Sequence, residues 1–181
     1  MDTAAVPTRR VFLIGPMGAG KTTIGKTLAQ LLGFTFLDSD HEIQRRTGVD
    51  IPTIFEFEGE QGFRDRERQV IDELTQRDDI VLATGGGAVT QPDNRRHLSA
   101  RGQVVYLHCS AHQQYARTYR DKNRPLLQTE NPKERLAALL KERDPLYRET
   151  ADQVVSTEHR NAIVVARDII RHLQADTPTA G

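Results

Sequence analysis

The sequence predicts an α/β protein in which a five-stranded parallel sheet is covered by helices on both faces, a three-layer α/β/α arrangement. Two observations carry this. Five short runs rich in β-branched or aromatic residues, Val11–Ile14, Phe34–Leu37, Ile80–Ala83, Val104–His108 and Gln153–Ser156, alternate with longer helical patterns, and strands joined by helical crossovers lie parallel. The chain has 181 residues, 37% of them hydrophobic, which suits one domain with a single substantial core better than two.

The first strand runs straight into Gly15-Pro16-Met17-Gly18-Ala19-Gly20-Lys21-Thr22. Glycines at these spacings let successive backbone N–H groups converge on one point, and the following helix adds the positive end of its dipole, so the segment reads as a phosphate-binding loop. A plain Gly-rich turn would not also have the strand before it and the amphipathic helix after it. Gly18, Ala19, Gly20, Lys21, Thr22 and Thr23 are the expected ATP contacts, with Lys21 reaching the β- and γ-phosphates and the Thr22 hydroxyl placed for Mg²⁺. In the helix, Ile24, Leu28, Leu31 and Leu32 form one apolar face and Gly33 stops it. Gly25 costs this helix about 1 kcal/mol relative to Ala, which suggests close packing against a strand.

The second strand ends in Leu37-Asp38-Ser39-Asp40. A carboxylate at the C-terminal end of a parallel strand faces the ligand crevice, so Asp38 suits Mg²⁺ or its bound water. Asp40 is either a stabilising acid at a helix N-terminus or, beside a phosphoryl donor, the group that accepts an acceptor hydroxyl's proton. Residues 40–79 are mostly helical in pattern and too many for a simple crossover, so they form an insertion over the sheet. Within it a helix over 60–77 carries the stripe Phe63, Val70, Ile71 and Leu74, interrupted by Arg64 and Glu67. That pair is either an exposed i,i+3 ion pair or an arginine held by Glu67 to receive a carboxylate bidentately. Thr84-Gly85-Gly86-Gly87 closes the third strand, and three consecutive glycines would allow backbone amides to approach a small substrate.

Farther on, Ser110 with Gln113 and Asn131 with Glu134 have capping-box spacing, with Pro132 at the first helical position. Residues 120–131 are polar and poorly periodic, either a solvated loop or, beside a nucleotide site, a mobile flap. The lone Cys109 ends an apolar run and reads as a buried structural thiol. Twenty-five basic and twenty-five acidic residues cancel, which argues against nucleic acid or an anionic membrane as partner. No segment has the character of a signal peptide or a bilayer span, so a soluble, cytoplasmic protein is expected, with frayed ends over 1–8 and 174–181.

Together the phosphate loop, Asp38-Ser39-Asp40, Gly59-Glu60-Gln61-Gly62-Phe63-Arg64 with Glu67, Gly85-Gly86-Gly87, Arg124-Pro125-Leu126-Leu127, and Arg143 followed by Pro145-Leu146-Tyr147 resemble the shikimate kinases of aromatic amino-acid biosynthesis, from about Val11 to Leu173. The resemblance implies a P-loop kinase fold similar to nucleoside monophosphate kinases, with sheet order 2-3-1-4-5, a core over about 9–173, a helical substrate-binding insertion over 40–79 and a lid over 117–131. It implies ATP and shikimate as substrates, Mg²⁺ at Thr22 and Asp38, and a monomer. Arg64 and Arg143 would hold the shikimate carboxylate, and Asp40 and Gly86, with Gly85, Gly87 and Glu67 around them, would take its hydroxyls. Arg124 would close over the phosphates, and Arg117, or in its place Arg120, would stack on adenine. A small-metabolite kinase such as a gluconate kinase, or a nucleotide-dependent switch, are the alternatives; no Asn-Lys-x-Asp guanine motif supports the switch.

Overall fold

The computed structural model describes residues 8–120 and 127–176. The chain builds a parallel sheet from β1 (Arg10–Ile14), β2 (Thr35–Asp38), β3 (Ile80–Ala83), β4 (Gln103–His108) and β5 (Gln153–Ser156), in the order β2-β3-β1-β4-β5. Around it lie α1 (Lys21–Leu32), α2 (Ser39–Thr47), α3 (Ile51–Leu74), α4 (Pro92–Arg101), α5 (Ala111–Thr118), α6 (Pro132–Thr150) and α7 (Ala162–Ala175), with a 3₁₀ turn at Ala88–Thr90. The α/β class is as the sequence predicts, and the 2-3-1-4-5 order is as the family resemblance implies.

Alternation along the strands divides the core into two layers. Phe12, Ile14, Leu82, Val104 and Tyr106 face one side, against Ile43, Phe63, Ile71, Leu98 and Tyr147 of the insertion, α4 and α6. Val11, Leu13, Val81, Val105 and Leu107 face the other, against Ile24 and Leu28 of α1 and Val165, Ile169 and Leu173 of α7. A Cβ on Gly25 would lie 2.5 Å from the Phe36 ring and 3.2 Å from Leu13 Cδ1, so the glycine is there to bring α1 down onto the sheet.

Local chemistry moves several boundaries. Phe34 is not in β2, because its N–H bonds Ala29 O (2.9 Å) while that of Gly33 bonds Gln30 O (3.4 Å). That is a Schellman closure of α1, and β2 starts one residue later. The insertion's long helix begins at Ile51 rather than near residue 60, capped by Asp50, whose carboxylate accepts from Thr53 N–H (3.0 Å), and it is broken at Gly59 (φ 72°, ψ 179°). Ser110 does cap α5 by accepting from Gln113 N–H (3.2 Å), yet the reciprocal half of the box is replaced. Glu158 accepts from the Ser110 N–H (2.8 Å), and the Gln113 side chain accepts instead from His159 N–H (3.2 Å). Asn131 caps α6 through Glu134 N–H (3.4 Å). At the C-terminal end α7 continues to Ala175, two residues into the stretch expected to fray. Among the described residues no helix is long and apolar enough to cross a membrane.

Candidate active site

The phosphate loop fills the turn between β1 and α1. Gly18 (φ 79°) and Gly20 (φ 94°) are left-handed, a conformation that only glycine adopts without strain, and it lets the loop curl over the N-terminus of α1. Lys21 Nζ donates to the carbonyls of Gly15 (2.6 Å) and Pro16 (2.8 Å), which keeps the ammonium over the loop. The Thr22 hydroxyl donates to Asp38 Oδ2 (3.1 Å), while Asp38 Oδ1 accepts from His41 N–H (3.1 Å) and so caps α2. Asp38 is thus fixed by two elements with its carboxylate beside Thr22, and two hard oxygen donors at the mouth of a phosphate loop would suit Mg²⁺.

Across this loop lie two cavities. One, of about 200 Å³, is lined by Met17, Gly18 and residues 20–23 of the phosphate-loop segment with Arg117 and Thr118. The other, of about 220 Å³, is lined by Arg64, Glu67, Arg143, His41 and the aromatic rings of Phe55 and Phe63. Met17, Asp38, Asp40, Gly85 and Gly86 belong to both. Asp40, in the first turn of α2, therefore stands where the two cavities meet.

The second cavity is electrostatically unusual. Arg64 and Glu67 are buried and bonded at 2.8 Å, so the pair interrupting the apolar stripe is an interior ion pair rather than a surface one. Burial raises the Glu67 pKa above the usual carboxylate range, the nearby Asp40 charge raises it further, and Arg64 opposes both. Arg143, also buried, comes from α6, and its Nε has no hydrogen-bond partner among the described residues. Two cations facing two carboxylates in a closed space leave a Coulombic place for an anionic ligand only if the arginines offer unused donors, and the Nε of Arg143 is such a donor.

The three glycines after β3 have a further role that the sequence did not suggest. Rather than only exposing amides to a ligand, they make room for the protein's own charged groups. A Cβ at Gly85 would sit 2.7 Å from Asp40 Oδ1 and 3.0 Å from Glu67 Oε2, and one at Gly87 would overlap the Arg64 guanidinium. Gly86 lies against the phosphate loop, where a Cβ would be 3.3 Å from Met17 N and 3.8 Å from Arg143 Nη1.

Arg117 and Arg120 separate clearly. Arg117 donates to Gly18 O (2.9 Å) and Thr157 O (3.2 Å), bridging the phosphate loop and the turn after β5, whereas Arg120 packs its guanidinium over the Tyr119 ring at 5.1 Å. Arg124 and most of the basic part of the expected lid lie outside the described residues. Leu127, the last residue of the Arg124-Pro125-Leu126-Leu127 motif, is buried against Met17 and Leu136. Cys109 is a buried thiol whose pKa burial raises, with its Sγ 3.7 Å from Gly18 O, as expected of a structural cysteine. Sequence reasoning missed Met17, which lines both cavities, and Phe55; the apolar character of each pointed equally well to the core.

A model of the shikimate kinase family matches residues 17–174. The chain belongs to the shikimate kinase family. A shikimate kinase of Acinetobacter baylyi is 62% identical over 89% of both chains, and one of Methylococcus capsulatus 60% identical over 90% of both. Among solved structures, shikimate kinase from Acinetobacter baumannii in complex with shikimate superposes with a TM-score of 0.94 at 55% identity, covering 97% of this chain and 98% of that one. A gluconokinase from Sinorhizobium meliloti shares the fold (TM-score 0.55) at 17% identity, covering 91% of both chains. The family's high-identity relatives are shikimate kinases, whereas the gluconate-kinase alternative is related through the fold alone.

Proposed function

We propose that the two cavities are the donor and acceptor halves of one phosphoryl-transfer site, joined at Asp40. The family's reaction, phosphorylation of shikimate by ATP on the 3-hydroxyl to give shikimate 3-phosphate and ADP in the route to chorismate and aromatic amino acids, is the activity of this chain. The observation that carries the residue assignment is the juxtaposition itself: a phosphate loop and a buried arginine pair share Asp38, Asp40, Gly85 and Gly86 in their walls.

On the donor side, Gly18, Ala19 and Gly20 present backbone N–H groups to the phosphates, Lys21 follows the transferring phosphoryl group, and Thr22 and Thr23 begin the helix whose dipole faces it. Thr22 and Asp38 would hold Mg²⁺, which supplies charge neutralisation at the β- and γ-phosphates. Arg117, rather than Arg120, is the residue for the adenine side, because it is already fixed between Gly18 and Thr157. On the acceptor side, Arg64 and Arg143 take the shikimate carboxylate with charge-assisted hydrogen bonds, and Glu67 fixes the Arg64 fork. Asp40 and the Gly86 backbone orient the hydroxyls, and Asp40 accepts the proton of the one that attacks. Arg124 closes over the phosphates from a lid over 117–131. We further propose a cytoplasmic, monomeric enzyme in a single domain with no nucleic-acid or membrane partner.

A coupled assay with shikimate, quinate and gluconate as acceptors tests this reading. Turnover with shikimate at least a hundredfold above gluconate is expected; equal turnover would contradict shikimate as the acceptor this site is shaped for.

A further inference from the structure

The reading above assigns Arg143 and Gly86 to the acceptor, yet they come from elements far apart in sequence, and something must keep them in register. Tyr147 lies four residues after Arg143 on α6, on the same helix face. Its side chain is buried, and its hydroxyl donates to the Gly86 carbonyl. The Arg143 guanidinium stands beside the same glycine, its Nη1 3.8 Å from where a Gly86 Cβ would lie. The ring is fixed from behind: it stacks on Tyr106 of β4 with centroids 4.8 Å apart, and the Tyr106 hydroxyl donates to Asp144 Oδ1 (2.7 Å), which Arg148 also holds through Oδ2 (2.8 Å). Burial raises the Tyr147 pKa, with Arg143 opposing, so the phenol keeps its proton. The hydroxyl is therefore a permanent donor to Gly86.

We propose that Tyr147 is a positioning residue for the reaction: its hydroxyl ties the Gly86 carbonyl to α6, holding the glycine loop and Arg143 at a fixed spacing around the acceptor. Gly86 also sits 3.3 Å, measured from its would-be Cβ, from Met17 N of the phosphate loop, so the same bond sets the distance between acceptor and donor halves. A buried tyrosine that served packing alone would need no hydroxyl aimed at a carbonyl of the glycine loop that lines both cavities. The inference rests on the acceptor-site reading, and its test separates the two.

Tyr147→Phe keeps the ring and its stack on Tyr106 and removes only the O–H. The KM for shikimate is expected to rise about five- to tenfold, the size of one buried neutral hydrogen bond, while the KM for MgATP stays within twofold. In an Arg143→Ala background the same change should cost less than twofold, because its effect passes through that guanidinium and Gly86. Tyr106→Phe, which leaves the Tyr147–Gly86 bond in place, should lower the unfolding midpoint with shikimate KM within twofold. All constants are read at a temperature where circular dichroism shows each variant folded. A shikimate KM within twofold of wild type in Tyr147→Phe, an equal rise in both KM values, or full additivity with Arg143→Ala would overturn the proposal. If Arg143→Ala alone leaves the shikimate KM unchanged, the acceptor-site reading falls and this proposal with it; if Arg143→Ala weakens shikimate and Tyr147→Phe does not, only the role of Tyr147 falls.

Discussion

The two halves of the site are built on opposite principles. The proposed donor half is mostly contiguous: residues 15–23 supply its backbone donors, its lysine and its hydroxyl, with Asp38 and Arg117 added from β2 and α5. The acceptor half is composite. Asp40 comes from α2, Arg64 and Glu67 from α3, the glycine loop from the end of β3 and Arg143 from α6. Backbone N–H groups carry no net charge to bury, whereas two arginines and two carboxylates lining one cavity must balance each other at every position. A donor half of this kind tolerates change around it; an acceptor half of this kind depends on the spacing of four elements.

The largest expected effect belongs to the donor half. Lys21→Ala removes the charge proposed to travel with the phosphoryl group, and kcat should fall by at least about 10³-fold with the fold retained. Shikimate affinity, measured by calorimetry, should stay within threefold; a matching loss there would show that the halves are not separable.

Next comes a substitution far from any expected ligand contact of the donor. Gly87→Ala would drive a methyl group into the Arg64 guanidinium. Displacing one charge-assisted clamp on the carboxylate should weaken shikimate binding roughly tenfold to a hundredfold, with MgADP affinity unaltered. If instead nucleotide binding drops and shikimate binding holds, the triplet serves the donor and the comparison is wrong.

The smallest effect is on stability and is specific to the acceptor half. Glu67 ordinarily titrates near 4.5, and burial with the Asp40 charge pushes it up to about 7 in the folded protein. Between these values the folded protein holds a proton that the unfolded chain has released. The stability carried by this group is complete below about pH 4.5, declines as pH rises, and is lost above about pH 7. Glu67→Gln lacks that titration, so the stability difference between wild type and variant should shift against wild type as pH rises across that window. Chemical denaturation at several pH values reads it directly, and a pH-independent difference would mean that Glu67 is ionised throughout.

The same contrast explains what the sequence disclosed. The phosphate loop, the strand runs and the stripe of α1 are local patterns, and each appears within a residue or two of its expected place. Arg64 and Glu67 were ambiguous because an i,i+3 pair looks alike on a surface and in an interior; only the glycines at 85 and 87, more than fifteen residues away, show that the space was made for charges. The early start of the insertion's long helix was hidden by Gly59, whose break at φ 72° splits the apolar periodicity into two stretches. Cap chemistry was half legible for a related reason: Ser110 acts locally, but the partner of its N–H is Glu158, which lies beyond the fifth strand. Tyr147 carried one local signal, its i+4 spacing from Arg143, and the bond that gives it meaning crosses to Gly86.

The central claim is that the two halves meet at Asp40. Single-turnover phosphorylation in Asp40→Asn, with MgATP and shikimate both saturating, tests it most directly, because binding defects in either half are then removed. Asparagine keeps the shape and loses the proton acceptor, so the rate should fall by roughly 10²–10⁴-fold, with the Kd of each substrate within about threefold of wild type. A loss below tenfold would reduce Asp40 to a residue that orients the hydroxyl, and a wild-type rate with only weakened shikimate binding would contradict the account by placing Asp40 in the acceptor half alone.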